Sequence, residues 1–502
     1  MKVFKTRLIV VCVFIALCFC VLIGRLFQIQ VISAREYSKI SFRQSKQRTL
    51  IPACRGSIRD RQGRVVAETM PNNSPAGAAG GGSSHKQRHT PGRPHDTSLK
   101  RVYPYGELAG AVLGYLGKDG YGLAGIEYVF DRYLRGEDGW CIIQKDGRNN
   151  RYSRMGMPEK LPENGFDLYL TIDLEIQKIV EKVLAQTVKQ FNAKGGMCIV
   201  LDPASGAVLA MANAPSFNPN AWKQYHQEQR RNNCIVYTYE PGSTFKVVTA
   251  AIALQEDVKS EGDSINGNNG VYEIYDQVIR DHKPFGKLTF VDALSYSSNV
   301  CFARVGKELG GKRVYTYTRD FGFGSVSGMS LPGEEAGVVH PLNRWSGRTL
   351  VTMVMGQELS VTLLQMMAAF GAIANNGVLV EPSIVDRIVD AKGAVVMKSS
   401  LKVKRRVVSE ATALRVRTMM KGVVDYGTGK QAGLPGISIG GKTGTSQKID
   451  TETGGYSKDR VWSSFIGLAP AEQPVLVCGV VIDEPQTGEL GGIVAAPAFR
   501  QI

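Results

Sequence analysis

The sequence predicts an α+β protein: one membrane-spanning helix at the N-terminus, a short interrupted domain after it, and a large body in which helices flank an antiparallel sheet. Three observations predict it. One apolar run, Leu8 to Ile23, is carried past Gly24 and Arg25 by Leu26 to Ile32 and is long enough to cross a bilayer. Strand signals occur early, at 197–201 and 208–211, and again late, at 438–446, 462–468 and 475–482. A helix-rich stretch, 243–376, lies between them. Helices inserted between the early and late strands of one sheet give an α+β domain.

Composition narrows the class. At roughly 150 residues per domain, 502 residues make about two to four folding units. The 61 Lys and Arg against 45 Asp and Glu leave a formal charge of +16, and a hydrophobic share of 43% with 21% charged is that of a globular protein, which excludes wholesale disorder. A single long apolar run excludes a polytopic protein. Lys2, Lys5 and Arg7 precede that run as in a secretory signal, but no Ala-x-Ala-like exit follows, and Cys12, Cys18 and Cys20 lack the small-residue context of a lipoprotein. The segment therefore reads as an uncleaved signal anchor. Charge does not set its orientation, because Arg25, Arg35 and Lys39 balance the basic residues on the near side.

Nine basic residues from Arg35 to Arg64 face only Glu36 and Asp60, a stretch suited to anionic headgroups or to a solvated, extended stalk. Nucleic-acid binding ranks behind both, since no aromatic-interleaved motif accompanies the charge. Residues 71–100 hold five Gly, four Pro, four Ser and one large aliphatic, Leu99, and read as a flexible linker. Beyond it, 122–139 reads as turn, short helix, turn. A strand at 167–171 leads into an amphipathic helix over 172–191, with Leu174, Ile176, Ile179, Val180, Val183, Leu184 and Val188 at helical spacing. The nine cysteines show no C-x-x-C and no metal spacing, and three of the six histidines (His85, His89, His95) fall in the linker, so neither a zinc site nor a His-based catalytic site has support.

Chemistry enters through serine and lysine. A serine nucleophile needs a base within reach, a proton relay to the leaving group and donors aimed at the developing oxyanion. S-x-x-K occurs three times, at Ser83, Ser243 and Ser399, but only Ser243 follows Pro-Gly and opens an apolar helical run, Val247 to Leu254. There Lys246 projects one turn on from Ser243, on the same face. Lys246 serves as a base only when neutral, which burial or a like charge such as Lys442 would promote. S-x-N also occurs three times, and Ser297-Ser298-Asn299 is the one that ends an apolar stretch and precedes a helical pattern. Ser297 would pass the proton between Lys246 and the leaving amine, and Asn299 would hold Lys246 and the substrate amide. Lys442-Thr443-Gly444 is the one K-T-G, inside a strand signal and followed by Thr445. A peptide added alongside Gly444 as an extra strand would bring its carboxylate near Lys442 and Thr445. The backbone N–H groups of Ser243 and Thr445 would then form the oxyanion hole.

With these three motifs in order, the chain resembles the class B penicillin-binding proteins, membrane-anchored D,D-transpeptidases of peptidoglycan synthesis. Arg55-Gly56-Ser57-Ile58-Arg59-Asp60-Arg61-Gln62-Gly63 looks like the start of the family's non-catalytic pedestal, Gly125-Ile126-Glu127 with Leu134-Arg135-Gly136 like its end, and Leu170-Thr171-Ile172-Asp173 like the start of the transpeptidase domain. Gly491-Gly492 with Ala495-Ala496-Pro497 resembles the final strand and the start of the last helix, which the chain leaves short. The resemblance implies a cytoplasmic tail at 1–7, a transmembrane anchor at 8–32, a pedestal or dimerisation-type domain at 33–165 interrupted by the linker 71–100, and a penicillin-binding transpeptidase domain at 166–502.

By position the family roles make Ser243 the residue acylated by the stem pentapeptide with loss of D-Ala, and also by β-lactams; an amine of a neighbouring stem resolves the ester into a crosslink. The implied partners are stem pentapeptides, β-lactam antibiotics, a membrane-embedded glycan polymerase and division proteins, in the bacterial inner membrane with the catalytic body outside the cytoplasm. No metal or organic cofactor is implied. Ser360-Val361-Thr362 and Ala374-Asn375-Asn376-Gly377 favour the division or sporulation branch over elongation. Two features depart from the family: the segment between pedestal start and end is short and Gly/Pro/Ser-rich, through natural loss, frame shift or engineering, and Glu358 and Leu363 stand where Gly and Pro are usual. The rival readings are a serine β-lactamase, a D,D-carboxypeptidase, and a catalytically weak divisome scaffold or β-lactam sensor.

Overall fold

A computed structural model describes residues 1–72, 99–145, 151–152, 159–275, 277–450, 455–488 and 490–502. Most of the expected linker, 73–98, lies outside the described residues. The chain divides into two compact units. The first takes in Met1–Cys54 and the described part of Gly136–Asn164; the second takes in Arg55–Met70, Lys100–Arg135 and Gly165–Ile502.

In the first unit a continuous helical segment, Lys2–Ile32, contains an 18-residue stretch with a mean hydropathy of 2.9 and none of it buried. It is long and apolar enough to cross a membrane. A helix, Ala34–Ser45, follows, and then a strand, Lys46–Ile51, that pairs antiparallel with Gly139–Lys145. Ile51, Cys141 and Ile143 form its small apolar core. Arg48 stacks on Trp140 with its guanidinium carbon 4.3 Å from the ring centre.

The second unit is organised around two sheets. The first is six-stranded, in the order Val395–Lys398, Val385–Val389, Asp167–Leu170, Ile58–Arg59, Val65–Pro71, Leu99–Val102, with one parallel pairing between Ile58–Arg59 and Asp167–Leu170. It draws the expected pedestal start into the catalytic body. Arg55 donates to Glu127 and Asp131, each at 2.7 Å, and Arg101 donates to the other oxygen of Glu127 at 2.7 Å, so the start and end motifs clasp around one buried carboxylate. The basic stretch is thus not an extended stalk. It is folded as a helix and strands, and Arg55, Arg59 and Arg64 are consumed in internal ion pairs with Glu127, Asp167 and Asp60.

The second sheet carries the site. Helix α1 (Leu174–Gln190) starts two residues later than its periodicity predicts, because the Asp173 carboxylate accepts from Glu175 N–H and caps it. Strands β1 (Gly195–Leu201) and β2 (Val208–Ala214) form the expected hairpin. Next come helices α2 (Lys246–Gln255), α3 (Asn299–Leu309), α4 (Leu363–Ala374) and α5 (Glu410–Asp425). Strands β3 (Gly440–Ile449), β4 (Tyr456–Ala469) and β5 (Leu476–Asp483) then return to the same sheet, in the order β2-β1-β5-β4-β3, antiparallel throughout.

Both faces of this sheet are covered, which is why β1 is an unbroken apolar run. Its alternate residues sort cleanly. Met197, Ile199 and Leu201 pack in the core shared with α2, α3 and α4, while Cys198 and Val200 pack with α1 and the last helix, α6 (Gly491–Gln501). The expected strand at Gly491-Gly492 is instead the first turn of α6. Gly491 lies so close to β3 and β4 that a Cβ there would sit 2.4 Å from the Gly444 carbonyl oxygen and 2.3 Å from that of Ser464.

Candidate active site

The Ser243 turn packs against β3, which carries Lys442, and Lys246 reaches from that turn to Ser297 and Asn299. Ser243 sits in a single 3-10 turn, Gly242–Phe245, that feeds directly into α2. Glycine is required before it. Gly242 has φ +54°, its N–H donates to the Gly356 carbonyl at 3.0 Å, and a Cβ would stand 3.1 Å from Ser446 Cβ and 3.2 Å from the Thr445 carbonyl oxygen. The nucleophile turn is therefore wedged between the Gly356 loop and β3. Gly444 makes the reciprocal approach, where a Cβ would meet the Thr244 methyl at 3.0 Å and the Pro241 carbonyl at 3.1 Å.

Lys246 is fully buried at the start of α2. Its ammonium donates to the Ser297 carbonyl at 2.7 Å, to the Ser297 hydroxyl at 3.3 Å and to Asn299 Oδ1 at 2.6 Å. Ser297 reaches that position through a left-handed backbone, φ +61°, a strained conformation for a residue with a Cβ and one that clusters at functional sites. No hydrogen bond joins the Ser243 hydroxyl to Lys246 or Ser297 among the described residues; the partly exposed Ser243 side chain is placed by its turn alone.

Burial pushes the Lys246 pKa down to about 7, against the opposing pull of Asp281 and Cys301. The charges of Lys246 and Lys442 act on each other. Lys442 is fully buried on β3, and its pKa falls well below the usual lysine value through burial first and the charge of Lys246 second. Lys442 Nζ donates to the Thr443 carbonyl at 3.1 Å and to the Thr443 hydroxyl at 3.3 Å. The Thr443 hydroxyl lies 2.7 Å from that of Thr428, and the Thr445 hydroxyl accepts from Gly491 N–H at 3.1 Å. Strand β3 is the edge of its sheet, and the Ser243 N–H lies in the first turn of a helix, where no earlier carbonyl claims it.

Three comparisons with known proteins bear on this arrangement. Residues 196–502 match the penicillin-binding protein transpeptidase domain model, and residues 83–170 match the penicillin-binding protein dimerisation domain. The chain belongs to the class B penicillin-binding proteins. Among its relatives, it is 36% identical over 408 residues to the stage V sporulation protein D of Bacillus subtilis, covering 80% of this chain and 63% of that protein. It is 33% identical over 410 residues to the probable peptidoglycan D,D-transpeptidase PenA of Neisseria meningitidis, covering 81% of this chain and 68% of PenA. A crystal structure of penicillin-binding protein 3 from Mycobacterium tuberculosis, complexed with aztreonam, superposes with a TM-score of 0.78 at 33% identity, covering 90% of this chain and 95% of that one.

Against that family pattern, Glu358 keeps φ +57° where glycine is usual, held by hydrogen bonds from the Thr349 and Thr352 hydroxyls, each at 2.8 Å, and by Arg348 at 3.3 Å. Leu363 opens α4 buried, behind the capping box of Thr362 and Gln365.

Sequence reasoning missed Asp281. Its carboxylate accepts from the N–H groups of Asn299 and Val300 and from the Ser298 hydroxyl, so it holds the N-terminus of α3 and with it the Asn299 side chain. An isolated Asp in a polar hairpin-to-loop stretch carries no motif; only the fold shows what it caps. His282 was likewise passed over. The structure brings its ring against Phe285, beside the Ser297 turn.

Proposed function

We propose that this penicillin-binding protein is a serine D,D-transpeptidase, crosslinking peptidoglycan stem peptides through an acyl-enzyme on Ser243 and acylated at the same serine by β-lactams. The observation that carries it is Lys246: a buried lysine with a pKa of about 7, one turn from Ser243 and hydrogen-bonded to both Ser297 and Asn299. Neutral Lys246 takes the Ser243 proton as Oγ attacks the penultimate D-Ala carbonyl. The N–H groups of Ser243 and Thr445 stabilise the oxyanion. Ser297 relays the proton to the leaving D-Ala amine, and Lys442 with Thr443, Gly444 and Thr445 binds the donor stem along β3. Among the described residues no carboxylate pairs with Lys442, and the substrate terminus supplies one.

The chain spans 63% of the length of the sporulation protein it matches, so the physiological setting is part of the proposal. Helix 2–32 anchors the protein in the bacterial inner membrane with the catalytic body outside. Residues 33–165 form the reduced pedestal. Its partners are a glycan polymerase embedded in the same membrane and division proteins, in septal or sporulation wall synthesis.

The test is product analysis of the purified chain with a stem-pentapeptide donor and an excess of acceptor amine. A crosslinked product with release of D-Ala supports the transpeptidase. Hydrolysis without crosslinking means a carboxypeptidase, rapid turnover of penicillin means a β-lactamase, and a stable acyl-enzyme with no peptide product means a sensor or scaffold.

A further inference from the structure

Strand pairing sets Ser446 of β3, Trp462 of β4, Asp483 of β5 and Gly195 of β1 in one row across the sheet. The last three line a cavity of about 460 Å3, together with Met197 on the α2 side of β1 and with Val236 and Tyr237 in the segment that runs on to the Ser243 turn. Its size falls within the roughly 300–1,000 Å3 of pockets that hold small organic ligands. None of the residues assigned to the chemistry lines it.

The cavity lies where a donor stem leads. With its carboxylate at Lys442, a stem lying along β3 runs past Ser446, and Trp462 stands one strand spacing, about 4.8 Å, from Ser446. Four residues of extended stem, counted back from the acylated carbonyl, span about 13 Å. What they carry at their far end is the glycan strand.

The lining is polar but favours neither sign of charge. Lys194 pairs with Glu484 and Asp483 with Lys448, while the exposed Glu228 carboxylate and Arg231 guanidinium line the cavity with no ion pair among the described residues. An anionic ligand would meet Glu228, and a cationic one Arg231. A neutral ligand rich in hydroxyl and amide groups uses both, because each hydroxyl donates and accepts. The Tyr237 ring is 40% exposed and is held edge-on by the buried Trp462, with centroids 5.7 Å apart and planes at 66°, which fixes a flat apolar face beside those polar groups. A pyranose ring, apolar on its C–H faces and polar round its rim, requires that combination.

We infer that this cavity is a subsite for the glycan strand of the donor, taking a neutral N-acetylated sugar against Tyr237 between Glu228 and Arg231. The inference rests on the transpeptidase reading for what the sugar is attached to. It deepens that reading by giving the enzyme a preference for a stem still carried on its glycan over a free one.

The experiment uses the full chain in detergent and chitotetraose, a neutral linear tetramer of N-acetylglucosamine, as the probe. Binding is read by calorimetry, and fluorescent-penicillin labelling of the same samples reports on the Ser243 site. Wild-type protein should bind chitotetraose, and Glu228→Ala and Arg231→Ala should each weaken binding at least about tenfold, the loss of one hydrogen bond to a charged group, with labelling unchanged. In crosslinking assays with wild-type protein, a pentapeptide stem carried on its disaccharide should show a KM about tenfold below that of the free stem, and the two values should converge in both variants. A penicillin-labelled wild type that does not bind chitotetraose, binding unchanged in both variants, or equal KM values for the two donors overturns the inference and leaves the transpeptidase reading standing. A wild type that binds chitotetraose through these residues yet takes no penicillin overturns the transpeptidase reading and, with it, the assignment of the sugar to a donor.

Discussion

On the proposed mechanism, Lys246 and the three acceptors around its ammonium set the pH response of the first chemical step. The base form is needed, and burial brings its pKa to about 7, so penicillin acylation should rise with pH through about 7 and then level off. Asp281 works against that shift by favouring the charged form. Replacing it by Asn removes the charge and should move the rising limb to lower pH, which a stopped-flow acylation profile reads directly; a limb that stays in place contradicts the electrostatic assignment. Ser243, Lys246, Ser297, Asn299 and Lys442 were legible because their spacing is fixed by local geometry: a turn of helix, a helix start, a strand. Asp281 was not, because its role comes from a hairpin folding back onto the start of α3, which no local pattern encodes.

At the scale of elements, the site depends on two close approaches. The N-terminus of α3 is held by Ser298, whose hydroxyl accepts from Cys301 N–H at 3.1 Å and donates to Asp281 at 2.7 Å. Ser298→Ala removes both bonds and should destabilise the protein by about 1–2 kcal/mol in chemical denaturation. Acylation should fall further than stability does, since Asp281, which accepts from Asn299 N–H, loses one of its three donors. The second approach is the nucleophile turn against β3. A methyl group at Gly444 would fall 3.0 Å from the Thr244 methyl and 3.1 Å from the Pro241 carbonyl oxygen, so Gly444→Ala should push the turn away, costing about 1–3 kcal/mol and most of the penicillin labelling. The strands of the site-bearing sheet were readable from their apolar runs and punctuating glycines. The start of α6 was not: Gly491-Gly492 has strand-like company in the sequence, and only its fit against the Gly444 and Ser464 carbonyls makes it a helix N-terminus.

The whole molecule ties its catalytic body to sequence that looks peripheral. Arg55 and Arg101 converge on the buried Glu127 from segments that sequence alone assigns to a separate pedestal, because a charged residue in a basic stretch gives no hint of a partner some 70 residues away. Glu127→Ala would leave the buried Arg101 guanidinium without a carboxylate and Arg55 with Asp131 alone, and should cost about 3–5 kcal/mol, seen as a lowered melting temperature and loss of penicillin labelling on mild heating. The claim on which everything else stands is that Ser243 is the nucleophile of this assembly. Intact-mass and peptide-mapping spectrometry of the protein after incubation with penicillin tests it most directly. One adduct of the mass of the opened β-lactam should map to the peptide containing Ser243 and be absent from Ser243→Ala; an adduct on another residue, or one that survives that substitution, would contradict the account.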